Sequence, residues 1–402
     1  MRLLFKELKK LFNPLIVLIL AAFSVAYTFV FLNFPFSQRW TVRQTRLYEE
    51  LRTEFGRELS FDEWDAFLAK REAVLERINE SIRKSEILRK NGIDDYETFI
   101  HTPPVVFTPT TSEEAIKMQM EKDRIYHDDE ITSPLFSYLS EMDYLIGRKD
   151  DLHALADERG YDEAKGEGYV PSDAPYRNAA VAERYRQTCT GSISLIPRTA
   201  ADNVRDGLMR LLILSAILCF VLILPCLIKE RLRGMRELQL ASAAGRGIFS
   251  VQAKTCALFG LGVGLLLDLV YALLLWRSGT LGFIACDVNT FERWRFWTDI
   301  SFGSYLLIHA LAVMLFSVCA SLAAYFIGRL ASSHIVGLGI ALPVAVALIF
   351  GFYILVRNPL YLFSSPSLAA AVIKPCITLL IFAAISAAVL IMLKRDKVRD
   401  IL

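Results

Sequence analysis

Few residues in this chain stand where side-chain chemistry would need them. Asp268 lies inside the apolar run GLGVGLLLDLVY, and a carboxylate at membrane depth costs roughly 3 kcal/mol on insertion scales. It must therefore face protein or water, pair with a cation, or hold a proton. That makes it either an intramembrane polar site or a structural contact near an interface. His309 and His334 stand singly in or beside apolar runs, where packing or an interfacial position is the default reading. His127-Asp128-Asp129-Glu130 collects metal-ligating types, but neighbours on a helix point in different directions, which favours a solvated face, and no metal site is expected. Of seven cysteines, only Cys189 and Cys286 fall outside the apolar runs and their flanks; they could pair in an oxidising compartment, or Cys286 could be buried at the membrane surface. No G-x-x-x-x-G-K-[ST], G-x-S-x-G or H-E-x-x-H occurs, so neither a phosphate cradle nor these hydrolytic sites are encoded. No catalytic residue is assigned, and the chain is not expected to be an enzyme.

The elements around these residues are those of a membrane protein. Of 402 residues, 54% are hydrophobic, above the usual soluble share, and the excess is concentrated in runs. The net charge of +2 hides a segregation: residues 37–206 hold 24 Lys and Arg against 34 Asp and Glu, while the remainder holds 21 against 9. Cations gathered beside apolar runs fit the positive-inside rule. They form no soluble basic face, so nucleic-acid binding is not implied.

Residues 1–12 read as a short amphipathic helix, with Leu4, Leu8, Leu11 and Phe12 on one stripe and Lys6, Lys9 and Lys10 elsewhere. Such a helix would lie in the cytoplasmic interface beside anionic lipid. Asn13-Pro14 caps and restarts the helix, and 15–34 is long enough to span; a cleaved signal peptide is the alternative, although its apolar core is usually shorter. Residues 37–206 form a mainly helical polar domain. Within it, the Ser60-x-x-Glu63 capping box opens a helix running to about Lys90, and Asn91-Gly92 ends it. A second box, Thr111-x-x-Glu114, starts a helix that Pro134 is expected to interrupt. Apolar runs follow at 207–228, 255–276, 305–328 and 335–356, and a last one covers 376–393.

The expected fold is thus an all-α polytopic membrane protein with six transmembrane helices and a large helical extracellular domain between helices 1 and 2. Lys and Arg place the amino terminus, the 229–254 segment and the 394–402 tail on the cytoplasmic side of the cell membrane. The 277–304 loop is then outside. Residues 359–373 are apolar but too short to span; they form either a re-entrant segment or a surface loop before a long final helix. Gly260 and Gly264, one helical turn apart, permit close approach of another helix.

The segment Lys229–Lys254, KERLRGMRELQLASAAGRGIFSVQAK, is the polar stretch between two apolar runs. Here, through Glu230, the Gly234-Met235 pair, Gly245-Arg246 and Lys254, the chain resembles the permease subunits of ABC-2 type ABC transporters, particularly bacterial ones with a large extracellular insert after the first membrane helix. Where such proteins often carry Thr or Ser before the Gly-Arg pair, this chain has Ala241-Ser242-Ala243-Ala244. The basic amino-terminal helix, six-span plan and re-entrant segment extend the resemblance over most of the chain. It implies a coupling helix docked on a separate ATP-binding subunit through Glu230, Arg233, Gly234, Met235, Arg236, Glu237, Gly245 and Arg246. It also implies no cofactor in this chain, ATP and Mg bound by the partner, and a second permease, identical or not. The expected function is export of a peptide, drug or lipid-like substrate. The alternative is a signalling or mechanotransmission protein whose extracellular domain binds an envelope partner.

Overall fold

The structure, a computed structural model, describes residues 2–108, 111–158, 191–235, 245–288, 301–356 and 368–398. In chain order the first elements are α1 (Arg2–Leu11), α2 (Pro14–Ser37), α3 (Arg39–Phe55), β1 (Glu58–Ser60), α4 (Trp64–Lys84), α5 (Glu86–Lys90), α6 (Tyr96–His101) and α7 (Glu113–Asp123). Then come α8 (Thr132–Glu158), β2 (Ser192–Ser194), α9 (Arg198–Leu232), α10 (Gly245–Arg277), α11 (Phe302–Leu330), α12 (His334–Val356) and α13 (Leu368–Val398). Two compact units divide the chain. One holds Met1–Ser37, Arg198–Ala285 and Trp294–Leu402, and the other holds Gln38–Pro197 and Cys286–Arg293.

Among the described residues, α2, α9, α10, α11 and α12 are long and apolar enough to cross a membrane. A helix satisfies its own backbone polar groups, which is what a lipid environment demands. The chain is therefore an all-α polytopic membrane protein. The apolar run expected at 376–393 falls inside α13; residues 359–367 of the expected re-entrant segment lie outside the described residues.

Helix α2 starts as its sequence requires. The Asn13 side chain accepts from the Leu15 N–H at 3.1 Å, and Pro14, which needs no intrahelical partner, occupies the first turn. A π-helical turn at Thr28–Asn33 precedes Pro35. Proline cannot donate to the carbonyl four residues back, which is that of Phe31. The Arg210 guanidinium supplies the missing donor, 2.7 Å from the Phe31 carbonyl oxygen. Tyr27 returns a hydrogen bond to the Arg210 carbonyl at 3.1 Å.

The helices α9, α10 and α11 pack through small residues. A Cβ added at Gly260 would lie 2.5 Å from the Ser317 carbonyl oxygen, and one at Gly264 would lie 2.8 Å from the Met314 Cα. Backbones approach this closely only where side chains are absent, which the spacing of the two glycines permits. Ser317 Oγ, beside Gly264, also meets Ser215 Oγ of α9 at 2.6 Å, both fully buried. Tyr271 of α10 fills the space left by Gly207 and donates to the Asn203 carbonyl at 3.0 Å.

The helices run beyond their apolar cores. The expected spans 207–228 and 305–328 are the middles of α9 and α11, and 255–276 is the C-terminal part of α10, because a helix keeps its hydrogen bonds past its apolar stretch and polar residues simply continue it. Of the 229–254 segment, only residues 233–244 lie between α9 and α10. Gly234, at φ +67°, turns the chain out of α9.

In the second unit, α3, α4 and α8 bury Leu47, Tyr48, Leu51, Phe67, Ile78, Ile82, Leu139 and Met142. The capping box at Ser60 and Glu63 is present, opening a short 3-10 turn that leads into α4. The expected single helix to Lys90 breaks at Ser85, whose hydroxyl accepts from Leu88 N–H and caps α5 instead. Pro134 sits in the first turn of α8, where proline is tolerated, while the preceding helix ends earlier, at a π turn through Asp128. The cap of α7 is Ser112, one residue beyond the expected Thr111. Among the described residues the sheet is one antiparallel ribbon pairing Glu58 with Ser194 and Ser60 with Ser192; three-residue strands leave no period-2 pattern for the sequence to show.

Candidate functional site

The best-connected polar site lies where α1, α9, α10 and α11 meet beside the 233–244 connection. Glu7 sits on the stripe Leu4, Leu8 and Leu11 of α1, and its side chain is buried. A carboxylate there needs donors. Lys10 Nζ lies 2.5 Å from Glu7 Oε1 and 3.0 Å from Glu230 Oε1. Gln252 of α10, 3% exposed, donates through its amide to Glu7 Oε2 at 3.2 Å and to Glu230 Oε2 at 2.9 Å. Three helices are thus held by two carboxylates, one ammonium and one amide. Burial opposes the charge on Lys10, but the hydrogen bonds and negative charges of Glu7 and Glu230 together outweigh it and raise its pKa.

A second set of contacts fixes the same ends to α11. Arg231 Nη1 donates to the Ala331 carbonyl at 2.8 Å and also reaches the Leu330 carbonyl. A cation at carbonyls ending a helix is favoured by the helix dipole. Tyr325 Oη donates to the Phe249 carbonyl at 3.0 Å, and the Arg329 guanidinium stacks 3.7 Å above the Phe249 ring. Both helix ends flanking the 233–244 connection are therefore tied to a common neighbour. A displacement of one end would be carried into the others as a rigid-body movement.

The residues singled out in the sequence divide. Glu230 is engaged inside the protein by Lys10 and Gln252. Arg233 and Met235 are exposed, and Gly234 makes the turn. Gly245-Arg246 opens α10, whereas Arg236 and Glu237 lie outside the described residues. The sequence reading missed Glu7, Lys10, Arg231 and Gln252. The signal for Glu7 was available: it is an acid on the apolar stripe of an otherwise basic helix. Nothing marked Gln252.

Elsewhere, Asp268 is half-buried on α10, and its Oδ2 has no hydrogen-bond partner among the described residues. His309 is buried, with Nδ1 2.9 Å from the Tyr305 carbonyl and its ring against Tyr305. At the acidic cluster, Asp129 accepts from the N–H groups of Ile131 and Thr132 and faces Arg124. Those hydrogen bonds hold its carboxyl below the usual range. It is a helix cap, and among the described residues no group of three His, Cys, Asp or Glu could hold a metal. Cys286 is a buried free thiol, 3.8 Å from the Leu195 carbonyl, and burial pushes its pKa up; Cys189 lies outside the described residues.

Comparison of the chain with family models, curated proteins and solved structures finds no match.

Proposed function

We propose that the chain is the membrane-spanning permease subunit of an ABC exporter, driven by ATP hydrolysis in a separate ATP-binding subunit. The observation that carries this reading is the brace around the 233–244 connection. Glu7, Lys10, Glu230 and Gln252 tie α1, α9 and α10 together, and Arg231 ties α9 to the end of α11. A soluble motor that pushes a connection between two membrane helices needs its force delivered to several helices at once, and such a brace does that. Exposed Arg233 offers charge to a soluble partner, and the missing phosphate loop agrees with an ATPase on another chain. In this reading α13 is the sixth span, both termini and residues 233–244 are cytoplasmic, and the unit holding α3 to α8 is extracellular. A second permease, identical or not, completes the pathway in the cell membrane, and the cargo is a peptide, drug or lipid-like molecule.

The test is co-purification with the candidate ATP-binding subunit. Charge reversal at Arg233, Arg236 and Glu237 together is expected to abolish the complex and substrate-stimulated ATP hydrolysis. Undiminished complex formation by the reversed variant would overturn the docking assignment. A second reading, mechanotransmission to an envelope partner, is favoured by the exposed Val106, Phe107 and Met120 near α7. It predicts a stable envelope partner and no substrate-dependent stimulation.

A further inference from the structure

An open apolar cleft of about 340 Å³ runs between α9 and α12, a volume in the range of ligand sites. Ile213, Leu224 and Ile228 line it from α9, and Leu338, Ala345 and Ile349 line it from α12. From Ile213 to Ile228 the cleft extends about 22 Å at 1.5 Å per residue, enough for an extended acyl chain. His334 is its one polar-headed lining residue and stands at the end where α12 begins.

That end is basic. Lys229 follows the lining residue Ile228, is exposed, and lies one helical turn past Pro225, which also lines the cleft. Arg231 is anchored at the Ala331 carbonyl, three residues before His334. The acid of this turn, Glu230, is drawn away by Lys10 and Gln252. The result is a greasy channel closed at one end by cations, with the nearest acid in the chain, Glu230, engaged elsewhere.

We infer that this cleft holds one anionic phospholipid, its acyl chain between α9 and α12 and its phosphate at Lys229, Arg231 and His334. Charge selects this occupant over a second copy of the chain. A two-fold contact through the same cleft would bring one set of Lys229, Arg231 and Arg233 against another, and like charges facing each other are costly. A phosphodiester matches the cations, and the tail matches the lining. The site is independent of any ATPase, so its test stands apart from the transport reading.

Full-length protein in detergent is incubated with phosphatidylglycerol or phosphatidylcholine of equal chain length, and retained lipid is counted by native mass spectrometry. One retained phosphatidylglycerol per chain is expected, held at least tenfold more strongly than phosphatidylcholine. Ala345→Trp, which fills the cleft from a half-buried lining position, should lose both lipids while keeping its elution volume. Lys229→Gln with His334→Gln should bring the two lipids to within about twofold of each other. Equal retention of both lipids by the wild type, or unchanged retention in Ala345→Trp, overturns the inference. So does an Ala345→Trp variant that turns a dimer into a monomer without losing lipid, since the cleft would then join two copies.

Discussion

The approach of α10 to α11 gives the sharpest prediction, because three glycines on one helix meet different surroundings. A Cβ at Gly260 would stand 2.3 Å from Ser321 Oγ and 2.5 Å from the Ser317 carbonyl oxygen. The hydroxyl can rotate away, but the carbonyl is backbone, and it falls 0.9 Å short of the 3.4 Å at which ordinary contact begins. Gly260→Ala must therefore push the helices apart by nearly that distance. A gap of 0.5–1 Å forfeits about a quarter to a half of each contact along the seam, and overpacked cores lose about 1–3 kcal/mol. A Cβ at Gly262, on the same helix, would meet nothing within 4 Å among the described residues, so Gly262→Ala carries only the helix-propensity gain, up to about 1 kcal/mol. The fully or nearly buried thiols of Cys219, Cys256 and Cys319 provide a readout, since a thiol-reactive dye reports their exposure on heating in detergent. Both variants share the propensity gain, so the overpacking loss of about 1–3 kcal/mol sets the difference, and at about 2–4 °C per kcal/mol for a unit of this size Gly260→Ala should melt about 2–12 °C below Gly262→Ala. Gly264→Ala should fall with Gly260→Ala, because its neighbour at 2.8 Å is the Met314 Cα. Equal melting of the Gly260 and Gly262 variants would refute the close-packed seam.

Gln252→Leu removes the amide that serves Glu7 and Glu230 and should cost about 1–3 kcal/mol, the usual loss for buried acceptors left without donors. Combining it with Glu7→Leu should recover part of that loss in the same melting assay, and a strictly additive double variant would show that the two side chains do not interact. Asp129→Ala deletes the cap of α8 and should cost about 1 kcal/mol. Because the Asp129 carboxyl is held below its ordinary value of 3.8, its contribution is complete above that pH and is lost as the pH falls through the folded-state value. Wild type and Asp129→Ala should therefore converge in stability as the pH falls below 3.8; a gap that does not narrow with acidification contradicts the carboxylate's role.

How much of this was legible depends on the range of each signal. The apolar runs and the cap at Asn13-Pro14 are local, and they could be read directly. The spacing of Gly260 and Gly264 showed that a close helix contact was permitted, though not that Ser317 would receive it. The capping box at Ser60 was equally plain. Ser85 was not, because a single serine inside a helical pattern signals a break only when Leu88 and the turn beyond it are already placed. The Glu7–Gln252 contact joins residues 245 positions apart; one half carries a local cue and the other carries none. Glu230 was read outward as a docking charge, and the structure turns it inward, because the donors that claim it, Lys10 and Gln252, stand on two other helices.

That separation has a consequence for how the protein is made. Glu7 leaves the ribosome long before the residue that completes its hydrogen bonds. At about 5–20 residues per second, the 245 positions to Gln252 take on the order of 10–50 s to synthesise. Through that interval the acid of the first helix has Lys10 of its own helix and neither Gln252 nor the packing of α10. Only when α10 has been inserted can Gln252 recruit α1 to the bundle. A nascent chain arrested before residue 252 should thus expose the Glu7 face to a water-soluble carboxyl reagent, and one arrested beyond α10 should hide it.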